Sequence, residues 1–109
     1  MIISLGYVTV PVEHTVQVSQ MLSGLAAQTR TEQGCLDYRV SHDLEVPGRF
    51  SLVETWATLA DMQTHLALPH IGPAVQALMA LGSVWLKFQS QRMMQATCTA
   101  AKNWCPRFS

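Results

Sequence analysis

Cys35-Leu36-Asp37-Tyr38-Arg39-Val40-Ser41-His42-Asp43 alternates, and that alternation decides how the chain folds. Leu36, Tyr38 and Val40 share one face of an extended segment, while Asp37, Arg39 and Ser41 share the other, the period of a strand buried on one side. Glu45-Val46-Pro47-Gly48 follows with adjacent Pro and Gly, a turn signal. Phe50-Ser51-Leu52-Val53-Glu54-Thr55-Trp56 then resumes the alternation, placing Phe50, Leu52, Glu54 and Trp56 on one parity. Two such strands joined by a short turn form a hairpin.

Outward from the hairpin the elements are of two kinds. Residues 2–10 are short, β-branched and apolar on both parities, and Pro11 stops them: a buried strand. Over residues 13–33 the period becomes helical, with Val18, Met21, Leu22, Leu25 and Thr29 in one stripe and Gly34 suited to a left-handed helix end. Beyond the hairpin, Thr58 and Asp61 have the spacing of a capping box, and Leu59, Met62 and Leu66 turn inward. Pro69 ends or kinks this helix; a second piece runs through Val75, Leu78 and Met79 to Gly82. Residues 84–91 form the fourth strand. The order β-α-β-β-α-β predicts an α+β, ferredoxin-like fold, an antiparallel sheet with its helices on one face.

The chain has 109 residues, of which 49% are hydrophobic and only 13% charged. So few charges cover a small surface thinly, and the bare sheet face offers either Val53 or Phe50, Leu52 and Trp56 from strand three, and either Trp85 or Val84, Leu86 and Phe88 from strand four. A homodimer with stacked sheets is the expected assembly. Residues 1–92 read as one domain; 93–109, with Trp104 and Phe108 but no clear period, read as a tail or a segment packing on the partner subunit.

The formal net charge is zero, which argues against nucleic acid and against an anionic membrane surface. The most apolar stretch, 74–88, is interrupted by Gln76, Gly82, Ser83 and Lys87, too broken to span a bilayer. Met1-Ile2-Ile3-Ser4-Leu5 lacks a basic leader segment, and Cys35, Cys98 and Cys105 form no paired framework. A cytoplasmic protein with free thiols is expected.

Of four histidines, His65 has the best company. It borders the apolar stripe of its helix, and the parity of Glu54 and Trp56 aims a carboxylate and an indole the same way, with Phe50 and Leu52. A carboxylate, an imidazole and aromatic rings around an apolar cavity suit a small-molecule site. Each also has a structural reading: a border histidine, a core tryptophan, a Glu54 tied to Arg39 or Arg92. His70, between Pro69 and Pro73, lies on a loop beside the cavity; His14 and His42 are expected at the surface. His65 and His70 are five apart across a proline, and Cys98 and Cys105 seven apart without a histidine at ligand spacing, so no metal set is expected. No nucleotide or flavin motif occurs. Cys35 follows a helix C-terminus, where the dipole disfavours a thiolate, and reads as structural.

Thr29-Arg30-Thr31-Glu32-Gln33-Gly34-Cys35-Leu36-Asp37-Tyr38 resembles the Thr-Arg-x-Glu-x-Gly-Cys-Leu-x-Tyr passage of the antibiotic biosynthesis monooxygenase family, and Phe50 to Trp56 resembles its Phe-x-Leu-x-Glu-x-Trp strand. His65 follows at the family's spacing, and the resemblance spans about residues 2–92. It implies a homodimeric α+β barrel and oxygenation of a quinol or polycyclic phenol by dioxygen without flavin, haem or metal. His65 would then be base or proton relay, Glu54 an orienter, Trp56 a stacking wall and Tyr38 a hydrogen-bonding contact to a substrate oxygen; from their own places in the chain Phe50, Leu52, His70 and Arg92 are expected as further substrate contacts. Relatives of this fold also degrade haem, using a first-strand asparagine where this chain has Gly6-Tyr7-Val8-Thr9, or isomerise a phosphorylated sugar, which would want Arg39, Lys87 or Arg92 in the cavity. A non-catalytic binding protein is the other alternative.

Overall fold

The computed structural model describes residues 1–90 and 95–99, with side chains placed through residue 85. The hairpin forms from β2 (Cys35–His42) and β3 (Arg49–Trp56), paired antiparallel with Tyr38 opposite Glu54. Its turn is built by Asp43, whose Oδ1 accepts from the amides of Glu45 and Val46 at 2.8 and 3.1 Å. Gly48 closes the turn at φ +81°, where its carbonyl accepts from the Val10 amide and any Cβ would run into the Val10 carbonyl.

The alternation misleads at one residue. The register shifts between Cys35 and Asp37, so Leu36 faces outward and is 59% exposed, while Cys35 packs on the core. On β3 the expected parity holds: Phe50, Leu52, Glu54 and Trp56 are buried and Val53 is exposed on the other side.

β1 (Ile2–Thr9) lies at the centre, flanked by β3 and by β4 (Ser83–Ser90). The sheet order is β2-β3-β1-β4-β5, all antiparallel, where β5 (Gln95–Thr99) is a strand that the tail's aperiodic sequence did not reveal. The rest of the expected tail lies outside the described residues.

Helix α1 (Thr15–Thr29) follows a single tight turn at Val12–His14 and buries Val18, Leu22, Ala26 and Thr29. Gly34 is left-handed, at φ +81°, but it does not cap α1: the helix closes at Arg30, and a further turn runs to β2. Helix α2 (Leu59–Leu66) is capped by Thr58, whose hydroxyl accepts from the Asp61 amide and donates to the Asp61 carboxylate. Pro69 separates it from α3 (Ile71–Leu81). The architecture is ferredoxin-like α+β. Val18, Leu22, Met62 and Leu78 from the helices pack against Val8, Phe50, Leu52 and Trp56 of the sheet. Burying each aliphatic side chain contributes roughly 2 kcal/mol.

On the opposite face Ile3 and Val53 are exposed, and Tyr7 stacks on Trp85 with ring centroids 5.3 Å apart. Arg49 lies over the Tyr7 ring at 5.5 Å. No helix among the described residues is long and apolar enough to cross a membrane.

Candidate functional site

Three inward residues form one row across the sheet: Ser4 on β1 and Tyr38 on β2 both stand opposite Glu54 on β3. All three are buried. The row is polar in a sheet face that is otherwise apolar, and α2 lays His65 over it. His65 is 3% exposed, and its Nε2 lies 3.9 Å from Glu54 Oε1. That is a charge contact, too long for a hydrogen bond.

These groups line a cavity of about 50 Å³ between sheet and helices. Ser4, Tyr38, Glu54 and His65 supply its polar atoms; the wall is otherwise aliphatic, with Val8, Leu52, Met62, Leu66, Leu78 and Val84 prominent. A water needs roughly 10–15 Å³, so the cavity as it stands has room for about four waters and is smaller than a ring-sized ligand.

Trp56 is fully buried and does not line the cavity. Its ring packs on the His65 imidazole, with centroids 4.9 Å apart, and its Nε1–H donates to Glu54 Oε1 at 3.1 Å. One indole therefore braces both polar groups from behind. Phe50 is likewise core, four residues from Glu54 on the same face, with the exposed His42 ring against it at 4.4 Å. Leu52 does line the cavity. His70 is the residue before α3, half-buried and off the cavity wall; its Nε2 is buried without a partner among the described residues. Its charge nevertheless presses on His65. Arg92 lies outside the described residues.

Burial pushes the Glu54 carboxyl up to about 7, helped by the charge of Glu32 and opposed by the Trp56 hydrogen bond. Burial pushes the His65 imidazole below its ordinary value of 6.5, against the pull of Glu32. Burial and the neighbouring Glu54 drive the Tyr38 hydroxyl far up, so it stays protonated and can donate. At neutral pH the site thus presents an uncharged imidazole beside a carboxyl that exchanges its proton readily.

One structural reading is corrected. Glu54 is not paired with Arg39, which is exposed and bonds Asp37 at 2.8 Å; among the described residues its hydrogen-bond donor is the Trp56 indole. The Cys35 thiol is pushed up first by burial and then by Glu54 and Glu32, the direction expected of a structural thiol. Arg39, one of the three basic residues considered for a phosphorylated substrate, is exposed and off the cavity wall; the side chains of Lys87 and Arg92 lie outside the described residues.

The site also contains a residue that composition and periodicity do not single out. Glu32, on the turn between α1 and β2, places Oε1 2.7 Å from His65 Nδ1. Turn residues have no period to read. The one signal was the Thr29–Tyr38 passage itself.

The antibiotic biosynthesis monooxygenase family model matches residues 1–77. Among solved structures, a "putative antibiotic biosynthesis monooxygenase" from Deinococcus radiodurans is 40% identical, with a TM-score of 0.79 over 83% of this chain and 91% of its own. A protein of the same description from Nitrosomonas europaea is 17% identical, with a TM-score of 0.75 over 83% of this chain and 97% of its own. SnoaB from Streptomyces nogalater, a cofactor-independent oxygenase, is 16% identical, with a TM-score of 0.74 over 84% of this chain and 92% of its own. At those lower identities the likeness shows the fold alone. Among curated proteins none matches this chain. The match over residues 1–77, together with the 40% identical structure, establishes that the chain belongs to the antibiotic biosynthesis monooxygenase family.

Proposed function

We propose that the protein is a cofactor-independent monooxygenase that oxidises a quinol or polycyclic phenol with dioxygen. The observation that carries this reading is the facing pair His65 Nε2 and Glu54 Oε1, 3.9 Å apart at the polar row of an otherwise aliphatic cavity. A substrate hydroxyl placed between them meets a base and a proton-exchanging carboxyl at once. His65 takes the hydroxyl proton. The resulting phenolate, in a site with little water, is electron-rich enough to reduce dioxygen itself. Tyr38 and the protonated form of Glu54 donate hydrogen bonds to the oxyanion. A new C–O bond forms at a ring carbon bearing hydrogen, and loss of water from the hydroperoxide leaves a carbonyl. Dioxygen is the oxidant, and no further reductant is consumed.

The aliphatic wall favours an apolar ring system, and the absence of Lys and Arg among the described lining residues favours a neutral one. The SnoaB description supports the same chemistry on the same fold. We further propose a homodimer through the exposed sheet face, with residues 1–92 as the catalytic unit and 93–109 as an extension.

The test is oxygen uptake by metal-stripped protein with a panel of quinols, anthrones and catechols, wild type beside His65→Ala. Uptake above autoxidation that disappears in the variant supports the proposal. No uptake above background with any member returns the protein to the class of small-molecule binders.

A further inference from the structure

The Glu32–His65 contact is more than a local ion pair. Glu32 is fixed by its own turn: its amide donates to the Thr29 carbonyl at 3.0 Å, and its carbonyl accepts from the Cys35 amide at 3.2 Å. The turn is docked twice more. The Gly34 carbonyl accepts from the Ala57 amide at 2.7 Å, and the bare Cα of Gly34 lies against the Asp61 carboxylate, where a Cβ would collide. Asp61 is one helical turn before His65 on α2. Glu32 is therefore held in register with the imidazole by backbone bonds and by a glycine contact, not by chance of a flexible side chain.

An ionised carboxylate can only accept, so a 2.7 Å contact to Nδ1 requires the proton on Nδ1. The neutral ring then has its lone pair on Nε2, toward Glu54 and the cavity. Glu32 Oε2 meanwhile is buried with no partner among the described residues. The other groups facing the ring are Trp56 and Glu54 from β3 and His70 from the α2–α3 link; none bonds Nδ1.

We propose that Glu32 is the positioning residue that locks His65 in the Nδ1–H tautomer and so leaves Nε2 as the proton acceptor of the site. The tautomer follows from the 2.7 Å contact of a neutral ring with a carboxylate that only accepts; its effect on turnover rests on the oxygenase reading.

Nitrogen-15 NMR of the histidine side chains, at a pH where His65 is neutral, reads the tautomer without substrate. The wild type is expected to show the Nδ1–H form at His65. Glu32→Ala is expected to shift it to a mixture, with Glu32→Gln, which keeps an acceptor oxygen, retaining more of the Nδ1–H form than Glu32→Ala. An Nε2–H wild type overturns the proposal even if no variant folds, as does a tautomer unchanged in Glu32→Ala. With an active substrate in hand, Glu32→Ala is expected to lower kcat by roughly 10²- to 10⁴-fold with little change in KM, the penalty of a misprotonated histidine base. Absence of oxygen uptake in every protein removes the oxygenase reading and leaves the tautomer result standing on its own.

Discussion

The two faces of the sheet handle polarity in opposite ways. The inner face, covered by helices, buries Ser4, Tyr38 and Glu54 in one row among aliphatic neighbours. On the outer face, Ile3 and Val53 are exposed, and Tyr7 and Trp85 stack on each other. A fold selected only for stability would do the reverse, because a buried carboxyl costs free energy and an exposed apolar side chain gains none. Under the proposed function the inner face carries the chemistry and the outer face meets a second copy of the chain.

The largest expected effect falls on the inner face. His65→Ala should lower oxygen uptake by roughly 10²- to 10⁴-fold, the usual contribution of a positioned base, while circular dichroism shows an intact fold. Next comes the wall of the cavity: Met62 is 1% exposed, and Met62→Ala should cost about 2–5 kcal/mol in denaturant unfolding.

Glu54→Gln sharpens the contrast through pH. The folded carboxyl titrates near 7 rather than at its ordinary 4.5, so between those values the folded state holds a proton that the unfolded chain has released. Stability therefore falls as pH rises from about 4.5 to 7, and above 7 the penalty is complete. Glu54→Gln should be more stable than wild type at pH 8, by up to roughly 3 kcal/mol, with the difference closing near pH 5. His65 acts in the other direction. Its pKa is lowered, so its contribution is full above 6.5 and is lost as pH falls below that value. Denaturant midpoints for wild type and variant across pH 5–8 separate the two.

The smallest effect on the fold is expected outside. Val53→Asp should change the stability of the single chain by no more than about 0.5 kcal/mol, yet shift a dimer to monomer in sedimentation. A dimer that survives the substitution would place the interface elsewhere.

The hairpin and the shared parity of Phe50, Leu52, Glu54 and Trp56 were legible because strand alternation survives in the local sequence; which side of the sheet that parity faces was not, because both sides are apolar. Leu36 was not, since a bulge inserts one residue without changing the hydrophobic pattern. β5 was hidden because Gln95-Ala96-Thr97-Cys98-Thr99 is small and mixed. Within the cavity, Glu54 and His65 could be anticipated from parity and spacing, and Tyr38 from the family resemblance. Trp56 was expected to face the ligand, but its indole packs on His65 and bonds Glu54 instead, contacts that parity cannot anticipate. Glu32 was out of reach of periodicity. Its place depends on Gly34 meeting Asp61, a contact between segments 27 residues apart in the chain.

The proposed mechanism turns on His65, laid over the polar row, taking the proton of a bound phenol. The most direct measurement uses a chromogenic naphthol whose anion absorbs at longer wavelength than the neutral form, titrated with protein under argon. The account predicts that the bound dye ionises at a pH below its solution value in wild type and reverts to the neutral form in His65→Ala. A dye that binds wild type yet stays neutral up to its solution pKa would contradict it.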